Sequence, residues 1–412
     1  MLTLALLLAI APAPAEGSSA DWPAFRGPNR DNLSPDTGLL KEWPKEGPKL
    51  LWTGEGLGKG YSSPAISGSH IFTLGDVDDK CFLFALNRAD GKMLWKKEIG
   101  GASQQRNKNW AGSRSTPTVD GQFVYALAPR GQLVAAKLND GEIVWSKDFK
   151  KDYAGSHGSW EYAESVLIDG DRLLCTPGGK EATVVCLDKT TGKEIWKSAA
   201  GGQAGYASIV ISNAGGVKQY VTLIAAGTIG IDAQTGKRLW IYDKLGGNVA
   251  NIPTPIVKGE QIFTLAGYGK GGALLSLSKK ENSILFNEVY YETKLKNKHG
   301  GAVIVGDYVY ADTDDRGSPY CANWKTGEVK WTGKSPKGRG SASLTYADGH
   351  LYIRYNNGVM VLVPADPSGY TEKGSFQIPP SGRSSWAHPV VIGGKLYLRE
   401  DDKLYCYDVT AK

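Results

Sequence analysis

At 412 residues the chain is longer than one ordinary sandwich or small α/β domain, and its 53 Gly, 12 Trp and 20 Tyr suit many short strands joined by tight turns. The 48 basic and 42 acidic residues leave a net charge of +6, yet they are interspersed. No run of five like charges occurs, so the electrostatic footprint of a nucleic-acid binder is missing.

The chain opens on an apolar run, Leu2 to Ala11, too short to span a bilayer. The small-x-small triplet Ala13 to Ala15 follows, and together they read as a secretory signal peptide over residues 1–15. No Cys precedes Cys81, so there is no lipobox. The expected product is periplasmic or secreted and carries no membrane anchor. Residues 16–47 read as a lead-in segment, and residues 48–412 as the folded unit.

Within that unit one phrase recurs. It reads ALNRADGKMLW from Ala85, AAKLNDGEIVW from Ala135, CLDKTTGKEIW from Cys186, GIDAQTGKRLW from Gly230 and CANWKTGEVKW from Cys321. SLSKKENSILF, from Ser276, is a decayed copy in which Asn282 replaces Gly and Phe286 replaces Trp. The first position is small, the seventh is Gly or Asn, and the eleventh is aromatic. Gly91, Gly141, Gly192, Gly236 and Gly327 are expected to supply the positive φ of a turn between two strands. Trp95, Trp145, Trp196, Trp240, Phe286 and Trp331 then lie on the second strand, each filling a slot left on a neighbouring sheet by a small residue.

Two further apolar runs precede each phrase, so each unit reads as four short strands. Four strands at a period near 45 residues predict an all-β propeller. Phe376 marks a seventh unit. An eighth begins at His388 and stops before its fourth strand, which Pro48 to Gly54, with the orphan Trp52, is expected to supply. The prediction is eight blades closed by the N-terminal strand, with seven as the alternative.

The segments leading into the innermost strands should ring the central channel. They offer Tyr61, Arg114, Trp160, Glu161, Glu164 and Tyr206 in the first half of the chain. The second half adds Asn251, Lys298, His299, Arg339, Trp386 and His388. This set suits an anionic or planar ligand. The five His have no partner at ligand spacing and read as surface residues. The five Cys show no metal spacing either. Cys186, Cys321 and Cys406 fit the small slot of the phrase as buried core residues. Cys175 and Cys186 flank a turn almost symmetrically, which leaves open either a cross-hairpin disulfide or two free thiols.

The small-x5-Gly-x3-Trp phrase resembles the tryptophan-docking motif of pyrroloquinoline quinone (PQQ) repeat proteins. That family includes the eight-bladed quinoprotein alcohol dehydrogenases and the propeller subunit of the outer-membrane barrel assembly machinery. The resemblance runs from about Pro48 to the end. DWPAFRGPNRDNLSPDTGLLKEWP, from Asp21, looks like the lead-in of exported PQQ-like propellers from planctomycete-type bacteria. The resemblance implies that a dehydrogenase would hold PQQ by stacking, an Arg and a metal ion, commonly Ca²⁺, bound by a Glu, an Asn and an Asp. Arg114, Trp160, Glu164 and Asn251 are the matching candidates. Lys298 and His299 stand where a further Asp would be wanted, and neither an adjacent Cys pair nor a CxxCH haem motif occurs. The expected function is therefore a non-catalytic, monomeric scaffold that binds a protein or glycan, with no metal and no assigned catalytic residue. The alternative is a PQQ-dependent dehydrogenase of an alcohol or sugar. A third reading, a hydrolase or lyase using Glu161, Glu164 or His299, has no spacing that singles it out.

Overall fold

At the seventh position of the repeated phrase every Gly has left-handed backbone: φ is 72° at Gly91, 71° at Gly141, 69° at Gly192, 74° at Gly236 and 72° at Gly327. These turns join the outer two strands of successive four-stranded antiparallel sheets. The computed structural model describes residues 21–411 apart from 248 and 282; the signal-peptide reading and Asn282 lie outside the described residues. It contains eight such sheets. Blades 1 to 4 span residues 65–101, 118–148, 167–198 and 210–242, and blades 5 to 7 span 256–292, 302–332 and 342–377. Blade 8 takes three strands from residues 390–408 and its fourth from Lys49–Gly54. That fourth strand runs antiparallel to Lys403–Asp408 and sets Trp52 opposite Cys406. The ring is thus an eight-bladed propeller closed by its N-terminal strand, as the sequence predicts.

The docking geometry corrects one detail. The small residue of each phrase does not form a slot on the neighbouring sheet; it sits directly across from the aromatic in the same blade. The pairs are Ala85 with Trp95, Ala135 with Trp145, Cys186 with Trp196, Gly230 with Trp240 and Cys321 with Trp331. The neighbouring blade contributes the turn glycine. A Cβ at Gly141 would lie 2.7 Å from the Trp95 ring, at Gly192 2.7 Å from Trp145, and at Gly236 2.6 Å from Trp196. Each of these indole N–H groups donates to the carbonyl three residues before that glycine: Leu138 at 3.2 Å, Lys189 at 2.9 Å and Ala233 at 3.2 Å. The glycine therefore serves both the turn and the ring of the preceding blade. Gly91 receives Trp52 in the same way.

Blade 5 departs from the pattern. Tyr290, not Phe286, lies against Gly327, and its hydroxyl donates to the Trp324 carbonyl at 2.9 Å. Phe286 is 36 % exposed and packs on the rings of Trp240 and Tyr242. Trp240 donates within its own blade, to Gln219 Oε1 at 2.6 Å. Trp331 donates to the Asp366 carbonyl at 2.8 Å, and Phe376 faces Gly47 of the lead-in.

All five Cys are free and buried. Cys175 pairs in register with Val185, and Cys186 with Leu174. Positions one residue out of register point to opposite faces of a strand pair. The two thiols accordingly belong to different inter-blade cores, which removes the disulfide alternative.

The lead-in is part of the propeller. Trp22 bridges to Ile66 of blade 1, and the Pro23 carbonyl accepts from Val119 N of blade 2. Arg30 donates to the Ser165 and Val166 carbonyls of blade 3 and to the Ile209 carbonyl of blade 4. Arg26 reaches the Ala302 carbonyl of blade 6 at 2.6 Å, and Asn32 the Leu344 carbonyl of blade 7 at 2.6 Å. Asp36 accepts from Gly394 N of blade 8. A segment bonded to innermost strands on opposite sides of the ring must cross its axis. Arg26, Arg30 and Asn32 all have positive φ, so the segment coils tightly as it crosses, and all three are buried.

Candidate functional site

With one end of the channel filled by the lead-in, the other remains open as a cavity of about 490 Å³. Each of the eight blades contributes to its wall. Tyr61, Arg114, Trp160 and Tyr206 come from the segments leading into blades 1 to 4; Ile252, His299, Ser341 and Trp386 come from those leading into blades 5 to 8. Phe25 of the lead-in forms part of the lining and packs on the His388 ring with centroids 4.9 Å apart. The site is an axial funnel with aromatic walls and a floor made by the N-terminal segment.

Arg114 is the central cation. Its guanidinium lies 5.2 Å from the Tyr61 ring centroid and 5.6 Å from that of Trp160, so two π faces flank it. It donates to the Gly112 carbonyl at 3.0 Å and to the Trp110 carbonyl, which fixes its plane. Burial lowers its pKa, but an Arg remains charged. Lys298 is compensated by Asp315 at 2.5 Å, and Arg383, which donates to Tyr61 Oη at 2.9 Å, by Asp401 at 2.6 Å.

Of the two histidines of the funnel, His388 is buried and His299 half-buried, whereas the sequence expectation was of surface residues. Asn32 Nδ2 donates to the Leu344 carbonyl and also lies 3.2 Å from His388 Nδ1, so that nitrogen accepts. The His388 proton then sits on Nε2, which donates to the His299 carbonyl at 3.2 Å. Burial, reinforced by Arg26, lowers the His388 pKa to about 3, and burial beside Lys298 lowers that of His299 to about 4. Both rings are neutral near pH 7.

Four residues expected at the channel do not line the funnel. Arg339 wraps its own loop, donating to the Ser335, Pro336 and Gly338 carbonyls. Glu161 has a φ of 63° and is buried, with Oε1 accepting from Gln104 N at 2.7 Å. Asn251 is buried and gives its Nδ2 to the Ile224 carbonyl at 2.6 Å. Glu164 is buried below the funnel, where Oε1 accepts from Thr176 N. Trp110, Tyr268, Asp315, Asn356 and Phe25 also line the funnel and are not among the channel residues expected from the sequence. Trp110 stands in a segment that pattern reading does flag; Tyr268, Asp315 and Asn356 sit on turns between the second and third strands of their blades, and Phe25 lies outside the repeat.

The family model described as outer membrane protein assembly factor BamB matches residues 33–159 and 83–333. The chain belongs to that family. The BamB of Shewanella oneidensis is 23 % identical over 249 residues, which is 54 % of this chain and 57 % of that protein. The tetrathionate hydrolase of Acidithiobacillus ferrooxidans is 25 % identical over 355 residues, 85 % of this chain and 51 % of that one. The chain thus spans about half the length of the curated relatives it matches. Among solved structures, the quinohemoprotein alcohol dehydrogenase of Comamonas testosteroni superposes with a TM-score of 0.65 at 13 % identity, over 96 % of this chain and 81 % of that one. At this identity the likeness is one of fold. The BamB family fold thus stands beside both an assembly factor and enzymes, and the side chains of the funnel must decide between them. Among the described residues no helix is long and apolar enough to cross a membrane, and no group of three or more His, Cys, Asp or Glu could hold a metal ion.

Glu164 gives the site a pH signature. Burial raises its pKa from 4.5 to about 7, against the opposing effects of the Thr176 hydrogen bonds and Arg30. A folded-state pKa above the unfolded one means that the folded protein holds an extra proton between about pH 4.5 and 7, so stability falls as pH rises through that window. Glu164→Gln has no such loss. The variant is expected to gain roughly 2–3 kcal/mol on the parent between pH 4 and pH 8, as read by chemical denaturation at both pH values. A difference independent of pH would contradict this assignment.

Proposed function

We propose that this propeller is a non-catalytic, exported binding scaffold that takes a protein or glycan group into its axial funnel. The observation that carries the reading is the division of labour around the axis. The rings, one uncompensated cation and several hydroxyls face the funnel, while the carboxylate and amide that a quinoprotein would use face the protein. Glu164 Oε1 accepts from Thr176 N, with Arg30 nearby, and Asn251 Nδ2 donates to the Ile224 carbonyl; Glu164 Oε2 and Asn251 Oδ1 have no partner among the described residues, but both are buried within the protein and neither residue lines the funnel. Asp315, the carboxylate in the funnel wall, is bound to Lys298. Ca²⁺ takes six to eight oxygen ligands, several of them charged, and these residues do not fit it or a PQQ held against it. Nor does the wall present a free carboxylate as general base for an alcohol.

Export rests on the apolar run at Leu2 to Ala11 and the small-residue triplet after it. The test of the binding reading is calorimetric titration with PQQ, with and without Ca²⁺, beside a dye-coupled assay on alcohols and sugars. The expected result is no saturable heat and no turnover. Micromolar PQQ binding with dye reduction would overturn the reading in favour of a dehydrogenase.

A further inference from the structure

The funnel wall has a chemical character that narrows its ligand, and the narrowing rests on the binding reading above. Its rings are not parallel plates. Tyr61 and Trp386 are inclined at 38° with centroids 4.7 Å apart, Trp110 and Trp160 at 58°, and Trp160 and Trp386 at 89°. A flat polycycle is best held between parallel rings. A puckered ring that presents C–H groups in several directions is better matched by inclined walls.

Between the rings the wall is hydroxylic. Ser63, Ser341 and Ser384 line it, together with Asn356. A ligand rich in hydroxyls offers the complementary donors and acceptors.

Charge supplies the third constraint. Among the described residues no carboxylate lies within ion-pair distance of Arg114, whereas Lys298 and Arg383 are both paired. The two hydrogen bonds of Arg114 leave three of its five N–H donors without a protein acceptor. A planar guanidinium with free donors, held rigid by two rings, is suited to a carboxylate or sulfate. The floor around Phe25 closes the far end, so a chain can enter only by its terminus.

We propose that the funnel binds the terminal residue of an anionic saccharide, with the ring against Trp160 and Trp386 and the acidic group on Arg114. Uronate and sulfate esters share this chemistry. The test is calorimetry on the full chain with three probes: trigalacturonate, its fully methyl-esterified form, and a sulfated galactose trisaccharide. Saturable binding of the acid or the sulfate, at least tenfold tighter than that of the ester, is expected. Arg114→Gln should abolish that preference, and Trp386→Ala should weaken acid and ester alike. The comparison of acid with ester on the unmodified protein needs no variant, so it stands if Arg114→Gln fails to fold. Equal binding of all three probes, or binding of none, would overturn the inference without touching the scaffold reading, which falls only by PQQ binding and turnover.

Discussion

Arg30→Ala is expected to lower the unfolding free energy by about 3–5 kcal/mol, the range for truncating one member of a buried charged network. The side chain is 6 % exposed and donates to three backbone carbonyls of two blades, those of Ser165, Val166 and Ile209. Its loss leaves the Ser165 and Ile209 carbonyls facing a hole in the channel, each with an unmet hydrogen bond that costs about 1–3 kcal/mol, while the Val166 carbonyl keeps its bond from Thr118 Oγ1 at 2.7 Å. It also removes the positive charge that opposes the desolvation of Glu164. The variant should therefore be most damaged above pH 7, where Glu164 must ionise without a counter-charge, and less damaged near pH 5. Denaturant midpoints at the two pH values measure this. An equal loss at both would separate Arg30 from Glu164, and a loss under 1 kcal/mol would mean that the lead-in is only loosely seated.

The same residue shows why part of the molecule could be read from the sequence and part could not. The ring of blades was legible because its marks repeat: each phrase carries a turn glycine and a ring four residues on, at a period set by four strands, although each ring meets the glycine of the next blade. Even the closure by Lys49–Gly54 followed from an unmatched Trp52. The lead-in had no such mark. Arg26, Arg30 and Asn32 are held by main-chain carbonyls of distant blades, and a carbonyl has no residue identity to recognise. Blade 5 was misread because a phenylalanine at the phrase position resembles a docked ring, while Tyr290 docks from four residues further along the strand.

Side-chain direction limits the site reading in a similar way. The segments that approach the axis were correctly located, but neighbouring residues of an extended segment face opposite ways. Ala163 lines the funnel, so Glu164 turns from it; Ile252 lines it, so Asn251 does too. Which member of such a pair faces the axis depends on the backbone one residue upstream, and Glu161, with its φ of 63°, resets that alternation. A carboxylate near the axis is therefore no evidence of a metal ligand until its direction is known.

The docking pair should be energetically coupled, and a double-mutant cycle measures it. Trp196→Ala removes a buried indole together with its hydrogen bond to the Ala233 carbonyl, and a loss of about 3–5 kcal/mol is expected. Gly236→Ala places a Cβ at a φ of 74° and 2.6 Å from the Trp196 ring. It is expected to lose about 1–2 kcal/mol from the backbone and a further 1–3 kcal/mol from crowding. In the double variant the ring is gone and the crowding with it, so only the backbone part of the glycine change should remain. The two losses should fall short of additivity by about 1–3 kcal/mol. Strict additivity would mean that the turn needs its glycine for φ alone, and the repeated Gly and Trp would then be two independent requirements of a hairpin. A shortfall in that range makes them one contact between adjacent blades, which is why the residues recur together around the ring.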